Sequence, residues 1–419
     1  MIRRNITSNL LEALADTPVV LLNGARQTGK STLANAIVSE TFPAKYLTLD
    51  DLSVLSAARS DPAGFLAGME GPFIIDEAQK APELFPAIKA AVDRNRRPGR
   101  FLLTGSANVF LLPRISESLA GRIEILTLWP FSQGEITGVK EGFIDALFES
   151  RMPVFQLPFK TKASILDRVM LGGYPEVISR ATKTRRKVWF ESYVTTLLQR
   201  DVRDLARIEG LVTLPKLLSL LAVRVPTILN FSELSRTAAV PQSSLKRYMA
   251  LLETTFLLQT IPAWSGNLGK RLVKAPKLVM NDSGLKTHLL GLDAERIMGD
   301  VSIGAHLENF VIMEFKKQIS WSQLQPRMYH FRTQTGWEVD VVLEDSRGRI
   351  VGIEIKAAGS VVAQDFKSLK ALAEVTGRKF IRGIVLYTGP EMIPFGSNLH
   401  AVPMTALWNL GVRPHEVES

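Results

Sequence analysis

Two glycines, a lysine and a serine near the start of the chain have the spacing of a loop that binds nucleotide phosphates. Residues 24–31 match the pattern G-x-x-x-x-G-K-[ST] and lie between an apolar run at 19–22 and a segment of helical pattern. Such a turn points backbone N–H groups at the phosphates, and the following helix brings its positive end to the same place. Lys30 is predicted to contact the β- and γ-phosphates, and Ser31 to hold Mg²⁺. The predicted nucleotide-binding residues of this loop are Gly24, Ala25, Arg26, Gln27, Thr28, Gly29, Lys30, Ser31 and Thr32.

Two carboxylates after another apolar run, at 73–75, supply the chemistry of phosphate hydrolysis. Asp76 is predicted to reach the Mg²⁺ shell, and Glu77 to polarise the water that attacks the γ-phosphate. The next apolar run, at 100–103, is followed by Thr104, Gly105 and Ser106, and Ser106 is predicted to sense the γ-phosphate. Ordinary turn chemistry is the competing explanation for these last three residues.

Two further carboxylates and a lysine lie in a hairpin pattern near the C-terminus. A polar turn at 344–349 separates strand patterns at 338–343 and 350–355, so Asp340 falls opposite Glu354. Alternation along the second strand puts Glu354 and Lys356 on one face. A divalent metal held by Asp340 and Glu354 would relieve their repulsion, and Lys356 would orient a water or stabilise charge on a phosphate. A surface hairpin with ordinary charges is the competing interpretation.

The pattern around the first group of residues predicts a fold that brings them together. Strand candidates at 19–22, 45–49, 72–75, 100–103 and 123–128 alternate with helical patterns, which indicates a parallel, doubly wound α/β sheet. Ligands of such sheets collect at the carboxyl ends of the strands, where the glycine loop, Asp76 and Ser106 lie.

The middle of the chain predicts a small helical module. Residues 231–248 have the pattern of two short helices joined by a tight turn at Ala239 and Val240, and 256–261 would supply strands of a winged helix. The exposed side chains of the second helix suit phosphates or base edges. They are Gln242, Ser243, Lys246 and Arg247. A module that only packs against protein is the alternative.

Around the C-terminal hairpin the pattern predicts a second α/β domain. The elements are a helix at 304–316, strands at 329–332, 338–343 and 350–355, a helix at 363–376 and a strand at 381–387. Their order is αβββαβ, with Glu308 near the start of the first helix.

Composition bounds the function classes. A chain of 419 residues suggests two to four domains, and the absence of cysteine excludes disulfides, thiolate zinc sites and thiol catalysis. No apolar run has the length of a membrane span, so a cytoplasmic protein without a membrane partner is expected. A net charge of +10 favours a polyanionic partner such as DNA, although a generally basic surface gives the same balance.

Taken together, these residues resemble the AAA+ ATPases, specifically prokaryotic ATP-binding proteins whose AAA domain is joined to a C-terminal half of unknown function. The resemblance covers nearly the whole chain and implies ATP and Mg²⁺ as cofactors, a homo-oligomer formed through the ATPase domain, and an arginine that acts on a neighbour's ATP. Arg122 is the predicted residue, with Arg114 second. The C-terminal part resembles the PD-(D/E)xK nucleases, which implies that Glu308, Asp340, Glu354 and Lys356 occupy motif positions, with Val339 where a proline is expected.

The residue patterns and the two resemblances together predict the domain organisation of the chain. It comprises an AAA+ domain at 1–140, a helical linker at 141–208, a winged-helix-like region at 209–265, a connector at 266–300 and a nuclease-like α/β domain at 301–419. The predicted function is ATP hydrolysis coupled to action on DNA, with a Mg²⁺-dependent nuclease-like domain. The alternative is a nucleotide-controlled regulator, such as a toxin or defence switch, with a protein partner and an inactive domain that only binds.

Overall fold

The computed structural model describes residues 2–69, 71–106, 119–152, 160–201, 213–299 and 302–411. They form two compact units. We call Arg4–Pro130 with Met249–Leu257 the N-terminal unit, and Phe131–Tyr248 with Leu258–Ser419 the C-terminal unit. Within the described part of the chain, no helix is both long enough and apolar enough to cross a membrane.

The N-terminal unit contains the predicted parallel sheet. Its strands are β1 (Val19–Asn23), β2 (Lys45–Thr48), β3 (Phe73–Asp76), β4 (Phe101–Gly105) and β5 (Ile123–Thr127), in the order β2-β3-β4-β1-β5. Its helices are α1 (Thr7–Asp16), α2 (Lys30–Glu40), α3 (Leu52–Ser60), α4 (Pro62–Ala67) and α5 (Leu84–Arg94). All four strand pairs are parallel, which confirms the α/β prediction for this part of the chain.

The apolar strands explain why this sheet forms in the middle of the unit. Every residue of β1, β3 and β4 is buried, because parallel strands are covered by helices on both faces. Helix α5 places Leu84, Ile88 and Val92 at helical spacing against this core. Since the strands run in one direction, their carboxyl ends share one edge of the sheet, and the polar residues that follow them meet there.

The first part of the C-terminal unit is mainly helical. Its helices are α6 (Gln133–Thr137), α7 (Phe143–Ala146), α8 (Lys162–Leu171), α9 (Pro175–Ile178), α10 (Lys183–Thr196), α11 (Thr213–Arg224), α12 (Phe231–Ala238), α13 (Gln242–Thr254), α14 (Leu268–Val273), α15 (Ser283–Leu289) and α16 (Ala294–Gly299). A π-helical turn, Leu197–Asp201, follows α10. Strands β6 (Thr227–Ile228), β7 (Leu258–Ile261) and β8 (Lys277–Met280) form an antiparallel sheet in the order β6-β8-β7.

The two predicted short helices are α12 and α13, and the end of α13 is counted with the N-terminal unit. Ala239 ends α12 with a φ of 50°, and this left-handed residue makes the tight turn between them. Leu245 is buried, whereas Gln242, Ser243, Lys246 and Arg247 are exposed, as predicted.

A buried carboxylate explains the glycine pair at 172–173. Gly172 has a φ of +67°, and a Cβ atom there would lie 2.3 Å from Oδ1 of Asp282. The N–H of Gly173 donates to Oδ2 of Asp282 at 2.8 Å, and Oδ1 accepts from the N–H of Leu285 in the first turn of α15. Gly172 is therefore required where the chain crosses the capped end of α15, and Gly173 contributes its backbone N–H.

The last part of the C-terminal unit is a mixed sheet. After α17 (Ile303–Ile319) come β9 (Arg327–Arg332), β10 (Glu338–Glu344), β11 (Ile350–Lys356), α18 (Lys367–Thr376), β12 (Phe380–Tyr387), β13 (Ile393–Pro394), β14 (Leu399–Pro403) and α19 (Ala406–Asn409). The sheet order is β13-β14-β12-β11-β10-β9, with β11, β12 and β14 parallel to one another. The predicted αβββαβ order is confirmed for these elements, and β13, β14 and α19 extend it.

Candidate functional site

The loop between β1 and α2 has the backbone of a phosphate-binding turn. Gly24 has a φ of +149°, and a Cβ atom at this position would lie 2.2 Å from the carbonyl oxygen of Leu128. Gly29 and Gln27 also have positive φ angles, of 93° and 62°. Helix α2 begins directly after Gly29, so the positive end of its dipole lies at the loop.

Lys30 is buried inside this loop. Its Nζ donates to the carbonyl oxygens of Gly24 at 3.0 Å and Ala25 at 2.9 Å. Thr28 Oγ1 donates to the carbonyl oxygen of Ala25 at 2.9 Å. The ammonium group therefore lies where the loop curls, which is the position from which it would reach the phosphates of a bound nucleotide.

Ser31 and Asp76 meet at the carboxyl edge of the parallel sheet. Ser31 Oγ donates to Oδ1 of Asp76 at 2.9 Å, and the hydroxyl of Thr104 donates to the same carboxylate. Mg²⁺ prefers hard oxygen ligands, and a hydroxyl beside a carboxylate offers them, so these two residues fit the ion. When bound, Mg²⁺ would neutralise negative charge on the phosphates.

Tyr46 is a residue of this site that sequence reasoning missed. Its hydroxyl, on β2, donates to Oδ2 of Asp76 at 2.8 Å. Burial and the Asp76 carboxylate both raise the pKa of Tyr46, so the phenol stays protonated and orients Asp76. The signal was weak, because one tyrosine in an edge strand has no motif of its own.

Glu77 has a constrained backbone and a bound carboxylate. Its φ of 57° is left-handed, which costs free energy for a residue with a side chain. Gln79 Nε2 donates to Oε2 of Glu77, and Ser106 Oγ donates to the same oxygen at 3.3 Å. Ser106 therefore contacts the predicted base directly, and Gln79, which the sequence did not single out, joins the two: its Nε2 lies 3.0 Å from Ser106 Oγ.

Arg122 lies at the opposite end of the parallel sheet, where the strands begin. It directly precedes β5, and Val19, the first residue of β1, pairs with Ile123, whereas the nucleotide loop follows the last residue of β1. Five strand residues span roughly 16 Å, so Arg122 does not contact the nucleotide loop of its own chain. Its Nε forms an ion pair with Asp93, and this hydrogen bond lowers the pKa of Asp93. Action on a neighbouring subunit stays a prediction, and Arg114 lies outside the described residues.

The second predicted group of residues does come together in the C-terminal unit. Val341 pairs with Ile353 in the hairpin, so Asp340 and Glu354 are the next residues on each strand. Oδ2 of Asp340 accepts from the N–H of Ile355 at 2.9 Å. Lys356 Nζ lies 3.9 Å from Oε2 of Glu354. The register that the sequence predicted for this hairpin is confirmed.

A bulge in β10 changes the direction of the Asp340 side chain. The pairing with β9 shifts between Val339 and Val342, so that Asp340 and Val341 both lie opposite His330. Bulges of this kind turn a side chain out of the regular alternation. The ladder to β11 ends at the same place, and the Asp340 carboxylate satisfies the backbone N–H that follows.

The buried carboxylates of this cluster hold protons more tightly than usual. Burial, followed by the charge of Asp340, raises the pKa of Glu308 to about 8 and that of Glu354 well above its ordinary value. Burial also raises the pKa of Asp340, against the opposing effects of Lys277 and the Ile355 N–H. These shared influences indicate that Glu308, Asp340 and Glu354 lie in one electrostatic environment.

Lys277 lies among these carboxylates, and no motif in the sequence points to it. Its Nζ is 2.7 Å from Oε1 of Glu308, 2.9 Å from Oε1 of Glu338 and 3.6 Å from Oδ1 of Asp340. Its side chain is only 2% exposed. Burial alone would lower the pKa of Lys277, but the three carboxylates outweigh it and raise that pKa. Lys277 is therefore a buried, charged ammonium group.

The cluster as arranged does not fit a divalent metal. Within the described ranges, no group of three or more His, Asp or Glu side chains is placed to hold a metal ion. The donor chemistry is suitable, since carboxylate oxygens are present and Oε1 of Glu354 is buried without a hydrogen-bond partner. The obstacle is Lys277, whose ammonium group already forms ion pairs with Glu308 and Asp340.

Three family models match consecutive parts of the chain. An AAA domain model matches residues 16–137, a domain of unknown function (DUF8612) matches 162–296, and a domain of unknown function (DUF4143) matches 303–407. Two curated mycobacterial proteins, the uncharacterized proteins Mb2031c of Mycobacterium bovis and Rv2008c of Mycobacterium tuberculosis, are 31% identical over 413 residues. The match covers 98% of this chain and 85% of each relative. The chain belongs to their family.

The chain combines an AAA-type ATPase domain with a C-terminal DUF4143 domain, as the matched residues show. The parallel sheet and the glycine loop of the N-terminal unit are the P-loop part of that architecture. The finer domain boundaries inside the C-terminal unit stay a prediction.

Two solved structures have limited similarity to the chain. The Walker-type ATPase PABY2304 of Pyrococcus abyssi is 16% identical with a TM-score of 0.43, covering 69% of this chain and 96% of that one. The RuvB Holliday junction branch migration motor of Thermotoga maritima is 18% identical with a TM-score of 0.28. That match covers 62% of this chain and 89% of the RuvB chain.

Proposed function

We propose that this protein hydrolyses ATP with Mg²⁺ and acts on DNA in the cytoplasm, using a phosphodiester-cleaving site in its C-terminal unit. The observation that carries the DNA-cleaving part is the convergence of Glu308, Asp340, Glu354 and Lys356. These residues come from α17, β10 and β11, and the hairpin register and the bulge bring them together.

Each residue of the nucleotide site has a proposed role that its contacts support. Lys30 binds the phosphates, and Ser31 and Asp76 hold Mg²⁺. Glu77 takes the proton of the attacking water, from a position set by Gln79 and Ser106. Tyr46 and Thr104 fix the orientation of the Asp76 carboxylate.

Two features of the C-terminal unit support DNA as the substrate. Lys356 is 38% exposed beside the buried Glu354, so its ammonium group can stabilise negative charge on a phosphate. Helices α12 and α13, with the sheet β6-β8-β7, have the element order of a helix-turn-helix with a wing. The exposed side chains at the start of α13 are polar or basic, as a helix that meets DNA requires.

A second candidate function is a nucleotide-controlled regulator that binds a partner and does not cut. The observation that favours it is Lys277, which already neutralises the carboxylates that a nuclease would use for metal. In this alternative the C-terminal unit is a binding domain, and the ATP state of the N-terminal unit controls the partner.

One experiment separates the two functions. Purified protein is incubated with supercoiled plasmid, linear duplex and single-stranded DNA in Mg²⁺ or Mn²⁺, with and without ATP. The proposed function predicts nicked or linear product in at least one condition. DNA or protein binding without cleavage of any substrate would replace the nuclease proposal by the regulator.

The proposed homo-oligomer makes a prediction about Arg122. Arg122→Ala and Lys30→Ala subunits should each be inactive alone, because each lacks one part of every shared ATP site. Mixed and reassembled, they should regain part of the wild-type ATP turnover, since some sites then combine an intact loop with a neighbour's Arg122.

The control for this mixing experiment is Arg97→Ala, which changes an exposed arginine near the same end of the sheet and should leave turnover unchanged. Assembly is checked by light scattering. No recovery in mixtures that assemble normally would exclude action on the neighbour and leave Arg122 with its ion pair to Asp93.

A further inference from the structure

We infer that Lys277 occupies the cation position of the carboxylate cluster, and that a divalent metal binds there only after the lysine side chain has left. This inference rests on the proposed nuclease-like site and assigns its regulation to one residue. It concerns four carboxylates and two ammonium groups, which are those of Glu308, Glu338, Asp340, Glu354, Lys277 and Lys356.

Lys277 and a divalent metal would compete for one position. Nζ of Lys277 donates to Oε1 of Glu308 at 2.7 Å and forms ion pairs with Glu338 at 2.9 Å and with Asp340 at 3.6 Å. A divalent ion shared by Glu308 and Asp340 would lie roughly 2 to 2.5 Å from their oxygens. The ion and the ammonium group would therefore need the same space, and the two cations exclude each other.

The cluster contains more carboxylates than ammonium groups. Full ionisation of its four carboxylates would exceed the charge of its two lysines, and every carboxylate except Glu338 is largely buried. Without Lys277 the buried carboxylates would repel one another with even less compensation, which is costly away from water. A divalent cation is the species that can replace the lost positive charge and add to it.

A ligand oxygen is also present beside the lysine. Oε1 of Glu354 is buried and accepts no hydrogen bond, although a buried carboxylate oxygen normally has a partner. Lys277 pairs with Glu308, Glu338 and Asp340 and leaves this oxygen without a partner. As a metal ligand, the oxygen would gain one.

Lys277 approaches the carboxylates from a different sheet. It lies on β8, whose partners are β6 and β7, whereas Asp340 and Glu354 lie on strands of the separate six-stranded sheet. Along the chain, β7 and β8 of this small sheet follow α12 and α13, the helices proposed to meet DNA.

The test uses the full-length protein and Mn²⁺ alone, measured by electron paramagnetic resonance and by thermal unfolding. Lys277→Met keeps most of the side-chain volume and removes the charge. It should bind Mn²⁺ about tenfold or more tightly than wild type. The reason is that the Coulomb repulsion between the Lys277 ammonium group and a neighbouring Mn²⁺ ion exceeds the free energy that corresponds to a tenfold change in affinity. Its Tm, lowered in EDTA, should rise on addition of Mn²⁺, whereas the wild-type Tm should change little.

Matched variants locate the effect. Lys270→Met removes an exposed lysine on α14, the helix that precedes β8, and should bind Mn²⁺ as wild type does. Asp340→Asn in the Lys277→Met background should abolish the added binding. If Lys277→Met does not fold without metal, the double variant Lys277→Met, Glu338→Gln removes one carboxylate with the lysine and allows the same titration.

The outcomes distinguish this inference from the proposed function, because DNA cleavage is assayed on the same preparations. Equal Mn²⁺ binding by wild type and Lys277→Met would overturn the inference, even if wild type cuts DNA. No Mn²⁺ binding by either Lys277 variant would also overturn it. Tighter binding by Lys277→Met without cleavage of any nucleic acid would support the inference and contradict the nuclease function.

Discussion

Replacing Glu77 by glutamine should stop most ATP turnover and leave ATP bound. Glutamine has the shape of glutamate and can still accept the hydrogen bonds of Gln79 and Ser106, so the strained turn at Glu77 should persist. The amide cannot take a proton from the attacking water. The loss of a general base slows a reaction by about 10²- to 10⁴-fold, which sets the expected fall in kcat. Phosphate release and retention of labelled ATP measure the two effects separately.

The matched control for this variant is Glu83→Gln, which makes the same chemical change at an exposed position just before α5. It should hydrolyse ATP at the wild-type rate. Lys30→Ala should differ from Glu77→Gln, because it should lose ATP affinity as well as turnover. Wild-type hydrolysis by Glu77→Gln would show that another group is the base.

Replacing Lys356 by alanine should nearly abolish the proposed DNA cleavage without weakening DNA binding. Lys356 is the partly exposed cation at the end of β11, so it can contact a phosphate that approaches from solvent. Removal of a single group that stabilises transition-state charge costs on the order of 10²- to 10³-fold in rate. Plasmid nicking rates, with and without ATP, measure the loss, and gel shifts measure DNA binding.

Asp340→Asn should give a loss of similar size for a different reason. Asparagine keeps an oxygen that can accept from the N–H of Ile355, so the end of the hairpin should stay folded, but the negative charge is gone. Lys370→Ala, an exposed lysine on α18, is the control and should cut as wild type does. Undiminished cleavage by Lys356→Ala would place the cutting site elsewhere in the protein or in a contaminant.

The parts predicted well from the sequence are those that neighbouring residues specify. The glycine loop at 24–31, the carboxylates at the end of β3 and the polar residues at the end of β4 all directly follow apolar runs of the sequence. In a parallel sheet the carboxyl ends of all strands lie on one side. The proximity of Ser31 and Asp76 could therefore be predicted without knowledge of the strand order. The hairpin register behaved in the same way, because a short turn determines which residues lie opposite.

The contacts that the sequence did not reveal depend on segments that the fold brings together, because Tyr46 is 30 residues from Asp76 and Gln79 is 27 residues from Ser106. Tyr46 reaches Asp76 from an edge strand, and Gln79 bridges Glu77 and Ser106 from a short turn. Neither belongs to a repeating pattern. Their roles depend on side-chain directions that only the packed sheet determines.

The sequence by itself therefore determined the two sets of chemical groups, the parallel sheet of the N-terminal unit and the αβββαβ order of the C-terminal elements, because periodicity, turn residues and motif spacing are local properties. Only the tertiary structure decided which charge the carboxylate cluster contains. Lys277 belongs to another sheet and looks, along the chain, like one lysine among many. Its effect on Glu308 and Asp340 arises because burial in a medium of low dielectric constant strengthens interactions between charges that the fold has brought within hydrogen-bonding distance or close to it.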